Sequence, residues 1–139
     1  LIHSSKLFLH VRERLSLCYY CAARYDKIKN VIMVDSGVKE ENVEKAKDEI
    51  LNQLKGIANG DFTEEEFSFA LRSLTNALNS LYDFPSGLES WYLTQILMQT
   101  QNTPQEDLTE LLKVKMEDVK KAAACTELDT VYVLAGKEE

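Results

Sequence analysis

The apolar residues of this chain change period early, which narrows the folds open to it. Around residues 17–34 they alternate, and from Val43 onward they recur every three or four residues. Tyr19, Cys21, Ala23 and Tyr25 alternate with Cys18, Tyr20, Ala22 and Arg24, as the two faces of a β-strand do. Both faces are fairly apolar, so cover is expected on part of each. Asp26 to Asn30 form a polar turn, and Val31 to Val34 read as a second strand, giving a hairpin closed by Asp35, Ser36 and Gly37. Ahead of the hairpin, Ser4 or Ser5 can cap a helix whose face carries Leu7, Phe8, Val11 and Leu15.

Helices dominate the rest of the chain. Val43, Ala46, Ile50, Leu51, Leu54 and Ile57 share one face, and Asn59-Gly60 supplies the stop, because glycine takes the left-handed cap conformation cheaply. Thr63 and Glu66 have the spacing of a capping box, with Phe62 and Phe67 placed as a hydrophobic staple. The helix they open carries Phe67, Ala70, Leu71, Leu74, Leu78 and Leu81, and Pro85 interrupts the pattern. Ser86 and Glu89 repeat the box before Leu88, Trp91, Tyr92 and Ile96. Thr103-Pro104-Gln105-Glu106 starts a short helix ending near Lys113, and another runs from about Met116 to Ala124. Thr130 to Leu134 reads as a closing strand.

Strands grouped early with one late return define an α+β domain: a small, mostly antiparallel sheet with helices on one side. Three strands are few for so many helices, so further strands of a parent domain are expected before Leu1. Residues 1–139 are accordingly read as one partial domain cut from a longer protein. With 139 residues, 45% of them hydrophobic, the chain can bury a sizeable core. The net charge of −7 argues against nucleic acid and anionic membrane as partners, since like charges repel. No apolar run approaches the roughly 18–20 residues of a membrane span, and no signal-peptide pattern is present. Three cysteines make no disulfide framework and point to a reducing, cytoplasmic setting.

Few residues offer chemistry. Cys18 and Cys21 form a Cys-x-x-Cys, but odd separation on a regular strand places them on opposite faces, which favours packing over a metal or redox site. His3 and His10 belong to no His-Glu-x-x-His or inverted signature, so no zinc site and no catalytic residue is expected in this chain. Nucleophile elbows, phosphate-cradling loops and dinucleotide fingerprints are absent. Glu40, Glu41, Glu64, Glu65 and Glu66 fall in first turns of helices, where the helix dipole accounts for them. Arg12 and Tyr19 remain. On spacing alone they read as a surface charge and a core aromatic. The alternative is functional: a guanidinium at a helix end and a phenol early in the next strand can meet at one rim of a sheet. Both donate hydrogen bonds, so together they can hold a peptide carbonyl or the oxyanion formed from it.

Ser5-Lys6-Leu7-Phe8, Val11-Arg12-Glu13 and Leu17-Cys18-Tyr19 resemble a segment of the insulinase/pitrilysin/processing-peptidase family of zinc peptidases. The likeness continues through Tyr25-Asp26, the Val31–Gly37 strand, the helix with Ile50 to Ile57, and Gly60-Asp61-Phe62-Thr63-Glu64-Glu65-Glu66. Ser90-Trp91-Tyr92 and the Thr130–Gly136 strand suit bacterial members. The resemblance implies two related α+β halves closing over a peptide, with an inverted zinc motif in the N-terminal half. This chain would be most of the C-terminal, non-catalytic half. Arg12 and Tyr19, with Tyr20 as the adjacent register alternative, would bind and orient the peptide substrate beside a zinc held by the partner half. Alone, the chain is expected to bind no zinc and cleave no peptide. The alternative is an assembly module of an inactive homologue without substrate, whose exposed sheet edge could pair with a second copy.

Overall fold

The structure, a computed structural model, describes residues 18–136. Its elements run β1 (Cys18–Asp26), β2 (Val31–Val38), α1 (Val43–Ala58), α2 (Glu64–Ser80), α3 (Pro85–Leu97), α4 (Pro104–Leu111) and α5 (Met116–Ala124), with single 3-10 turns at Glu40–Asn42 and Leu81–Asp83. This is a small α+β arrangement. The described residues form two compact units, residues 18–59 with 121–136, and residues 60–120.

In the first unit β1 and β2 pair antiparallel. The turn between them works without glycine. Asp26 Oδ1 accepts from the amides of Ile28 and Lys29, both at 3.0 Å. Asn30 takes the left-handed conformation, at φ 54°, and its side-chain oxygen accepts from the Tyr25 hydroxyl at 2.7 Å. Asparagine is among the few non-glycine residues for which that conformation is common. The second strand is longer than its β-branched run, because Asp35, Ser36 and Gly37 stay in the ladder opposite Ala22, Cys21 and Tyr20. The partly covered sheet face holds Cys18 and Cys21, against which Val38 and Ile50 of α1 pack. Ala46, one turn earlier in α1, is also buried. Cover is expected on part of each face of β1, but its other face is open: Tyr19 and Tyr20 are exposed, as is Tyr25, and in β2 Val31, Ile32, Met33 and Val34 are exposed as well. One helix contributes Ile50, and β-propensity by itself buries nothing.

The second unit is built on two capping boxes. Thr63 accepts from the Glu66 amide while Glu66 accepts from the Thr63 amide, and Thr103 and Glu106 do the same at the start of α4. Each box satisfies two amides that the first helical turn leaves free. The predicted third box fails: α3 begins at Pro85, with Phe84 as its N-cap, so Ser86 lies inside the helix. Proline already has the helical φ and no amide to satisfy, which suits it to the first helical position. Pro104 and Leu108 of α4 are buried. Gly60 has φ +84°, the left-handed stop expected after α1.

Among buried polar side chains stands Gln95 on α3, only 6% exposed. Its Oε1 accepts from the Thr100 hydroxyl and from the Asn102 amide at 3.3 Å. Trp91 Nε1 donates to the Asn102 carbonyl at 3.1 Å, and Asn102 Nδ2 donates to Asp107 Oδ1 at 2.8 Å. These bonds hold the connection from α3 to α4, where Gln99 sits at φ 56°.

The closing strand expected over Thr130–Leu134 does not form; residues 125–136 have no regular structure. Tyr132 is 82% and Leu134 85% exposed, so the segment keeps a strand's alternation without a strand's neighbour among the described residues.

Candidate functional site

Arg12 lies outside the described residues. Tyr19 is described, and its setting is unusual for an aromatic. The register runs Cys18 opposite Val38, then Tyr20 opposite Gly37, and breaks between Cys18 and Tyr20. Tyr19 is therefore the extra residue of a β-bulge. Bulges interrupt alternation and re-aim side chains. Here the bulge turns Tyr19 outward, at 67% exposed, and puts Cys18 and Cys21 on the same face, 8% and 4% exposed. Tyr19 is thus no core aromatic, and the two thiols do not point to opposite faces. Both inferences assumed a regular strand, and one inserted residue cancels the parity on which they rested.

The thiols flank the phenol as anchors. Burial pushes the Cys21 thiol up, the neighbouring Cys18 pushes it further, and the Ser36 hydroxyl acts the opposite way. A thiol kept protonated in this manner is a poor nucleophile and metal ligand. Cys18, Cys21 and the exposed Cys125 are all free. Among the described residues no group of three or more His, Cys, Asp or Glu side chains could hold a metal ion. His3 and His10 lie outside those residues.

The partner strand supplies two contacts that the sequence does not announce. Ser36 Oγ donates to the Tyr20 carbonyl at 3.0 Å. The Tyr20 ring covers Gly37: a Cβ built there would fall 2.5 Å from Cε1 and 2.9 Å from Cδ1. Reading Gly37 as a terminator hid this. A glycine that continues a strand is the usable signal, since it marks a bulge or a close approach. On the opposite side of the register, Arg24 and Asp35 form an exposed ion pair at 3.6 Å, worth little to stability.

The family described as "Peptidase M16 inactive domain" matches residues 2–74, more than half of the chain. The chain belongs to that family. It is 35% identical over 134 residues to the "Probable inactive metalloprotease YmfF" of Bacillus subtilis (strain 168), covering 96% of this chain and 32% of that protein. A crystal structure of a conserved protein from Enterococcus faecalis V583 superposes with a TM-score of 0.78 at 27% identity, over 88% of this chain and 29% of that one. The chain therefore spans about a third of the length of these two relatives. Among the described residues no helix is long and apolar enough to cross a membrane.

Proposed function

We propose that this chain is the non-catalytic, peptide-binding part of a zinc-peptidase-like protein, with Tyr19 and Arg12 as its contacts to the peptide backbone. The carrying observation is the exposed phenol of Tyr19, held on a bulge beside the buried Cys18. An exposed aromatic on a pinned backbone loses little entropy when it binds, and its hydroxyl can donate to a peptide carbonyl. The Arg12 guanidinium would supply the second donor. On this reading a zinc ion's polarising role would belong to another domain, which would also be the chain's principal partner. A reducing, cytoplasmic setting suits the three free thiols.

The test uses the full-length protein and fluorescein-labelled casein peptides. Tyr19→Phe and Arg12→Ala together should weaken peptide capture at least tenfold while leaving bound zinc, where the parent holds any, unchanged. Undiminished capture would remove the assigned role.

A second reading is favoured by the exposed apolar residues of the hairpin and of residues 131–134, and by a relative named as probably inactive. On that reading the module assembles with another chain through its open sheet edge, a second copy included. Light scattering that shows a monomer at high concentration would count against the second-copy form.

A further inference from the structure

We propose that Gly37 is the positioning residue for Tyr19: its bare Cα seats the Tyr20 ring, and the seated ring fixes the bulge that presents the Tyr19 phenol. This rests on the reading of Tyr19 as a peptide contact and adds the residue that sets its geometry.

The first question is why a glycine occupies this place. Glycine inside a strand is unfavourable, having no side chain to pack and much backbone freedom to lose. A left-handed backbone would justify it, but among the described glycines only Gly60 has positive φ. Space is the remaining reason. The Tyr20 ring approaches so closely that any Cβ would meet Cε1 at 2.5 Å, well inside van der Waals contact. Tyr20 and Gly37 are direct cross-strand partners, so the ring lies over the glycine of its own pair. A ring covering a strand glycine shields the exposed backbone there and pins the register.

The second step concerns the neighbours of Tyr19 in sequence. On its far side, Tyr20 is held twice by successive residues of β2, through its ring on Gly37 and through its carbonyl, which accepts from Ser36 Oγ at 3.0 Å. On its near side, Cys18 is held by burial beside Cys21. The inserted residue is thus clamped at both ends, and its side chain has one way out. A Cβ at position 37 lifts the ring and removes one of the two holds on Tyr20, leaving the Ser36 bond, so that end of the clamp loosens and the phenol is less well aimed. Misplacing a contact group by about 1 Å can cost as much as a hundredfold in a positioned interaction.

The experiment places 3-fluorotyrosine at position 19 in the full-length protein and follows it by fluorine NMR, with capture of labelled casein peptides measured alongside. The native hairpin should give one narrow line. Gly37→Ala should shift or broaden it and weaken capture about tenfold. Tyr20→Ser alone should disturb the line as well, and adding Gly37→Ala to Tyr20→Ser should change nothing more, because the two act through one contact. An unchanged line in folded Gly37→Ala overturns the proposal. So does an equal effect of Gly37→Ala in the Tyr20→Ser background, which also decides the matter if the single variant fails to fold. If the lines behave as expected while Tyr19→Phe leaves capture intact, the positioning stands and the peptide-contact reading falls.

Discussion

Deleting Tyr19 should leave the hairpin standing and remove its outward contact. The register makes this specific. Cys18 pairs with Val38 and Tyr20 with Gly37, with Tyr19 as the surplus between them. Without it, Cys18 directly precedes Tyr20, and regular alternation puts Cys18 inward, Tyr20 outward and Cys21 inward, their present directions. Two opposing quantities then set the stability change. Tyr19 is 67% exposed, so about a third of the side chain leaves water on folding. An aromatic side chain buries roughly 150–250 Å² when fully covered, so that third is worth about 1–2 kcal/mol at ~25 cal/mol per Å². Against it, closing the bulge restores a ladder hydrogen bond worth about 0.5–1.5 kcal/mol. The net change should lie within about 1.5 kcal/mol of zero. Hydrogen exchange at the amides of β2 measures it locally, at the hairpin itself. A nuclear Overhauser contact between Cys18 and Val38 reports the register. Loss of more than about 3 kcal/mol, or a new partner for Cys18, would refute the insertion argument. Loss of peptide capture with the hairpin intact would separate presentation from folding.

Two further perturbations address the second unit. Gln95→Leu keeps the volume but removes the side-chain acceptor of the Thr100 hydroxyl and the Asn102 amide; since the hydroxyl keeps the residue 95 carbonyl and both residues are exposed, the cost should be about 1–2 kcal/mol, with the Asn102 amide exchanging roughly tenfold faster. The Glu106 carboxyl is held below the usual carboxylate range, first by the Thr103 amide and then by the Thr103 hydroxyl. A depressed folded pKa contributes stability above the unfolded value and loses it as pH falls through the folded one. Protection of the Thr103 amide should therefore drop at acid pH in the native protein, and in Glu106→Gln it should be weaker at neutral pH and lack that acid-side step.

Helix starts were legible because their chemistry is local. Thr63 with Glu66, and Thr103 with Glu106, complete their boxes within four residues, and nothing distant can undo them. The proline at 85 misled only in detail, because Ser86 offers a cap that Pro85 makes unnecessary. The hairpin was legible as a pair of strands but not in its facing. Alternation assigns faces only while the strand is regular, and whether residue 19 is counted or skipped depends on Gly37 and Ser36, which lie across the ladder and 16 or more residues away. That is why Tyr19 could be picked out as a candidate contact while its outward aim, and the shared face of the two cysteines, could not.

The Thr130–Leu134 segment shows the same rule from the other direction. Its alternation and β-branched content are those of a strand, yet among the described residues it pairs with nothing. A helix closes its hydrogen bonds within itself, so α5, with a face of ordinary amphipathicity, forms where the pattern says it should. A strand's amides and carbonyls point sideways and are satisfied only by a neighbour. Sequence pattern can therefore state a readiness to pair but not whether pairing occurs. The hairpin resolves its own half of that problem, because each strand is the other's partner and the Asp26 turn delivers them together. Among the described residues, 130–134 have no paired strand, and the side chains of residues 131–134 are exposed. The functional consequence is specific to β1. Its one irregularity, Tyr19, persists because the strand opposite supplies a glycine seat and a serine donor in successive positions, so the candidate contact is a property of the pair of strands and not of the Cys-Tyr-Tyr-Cys sequence that contains it.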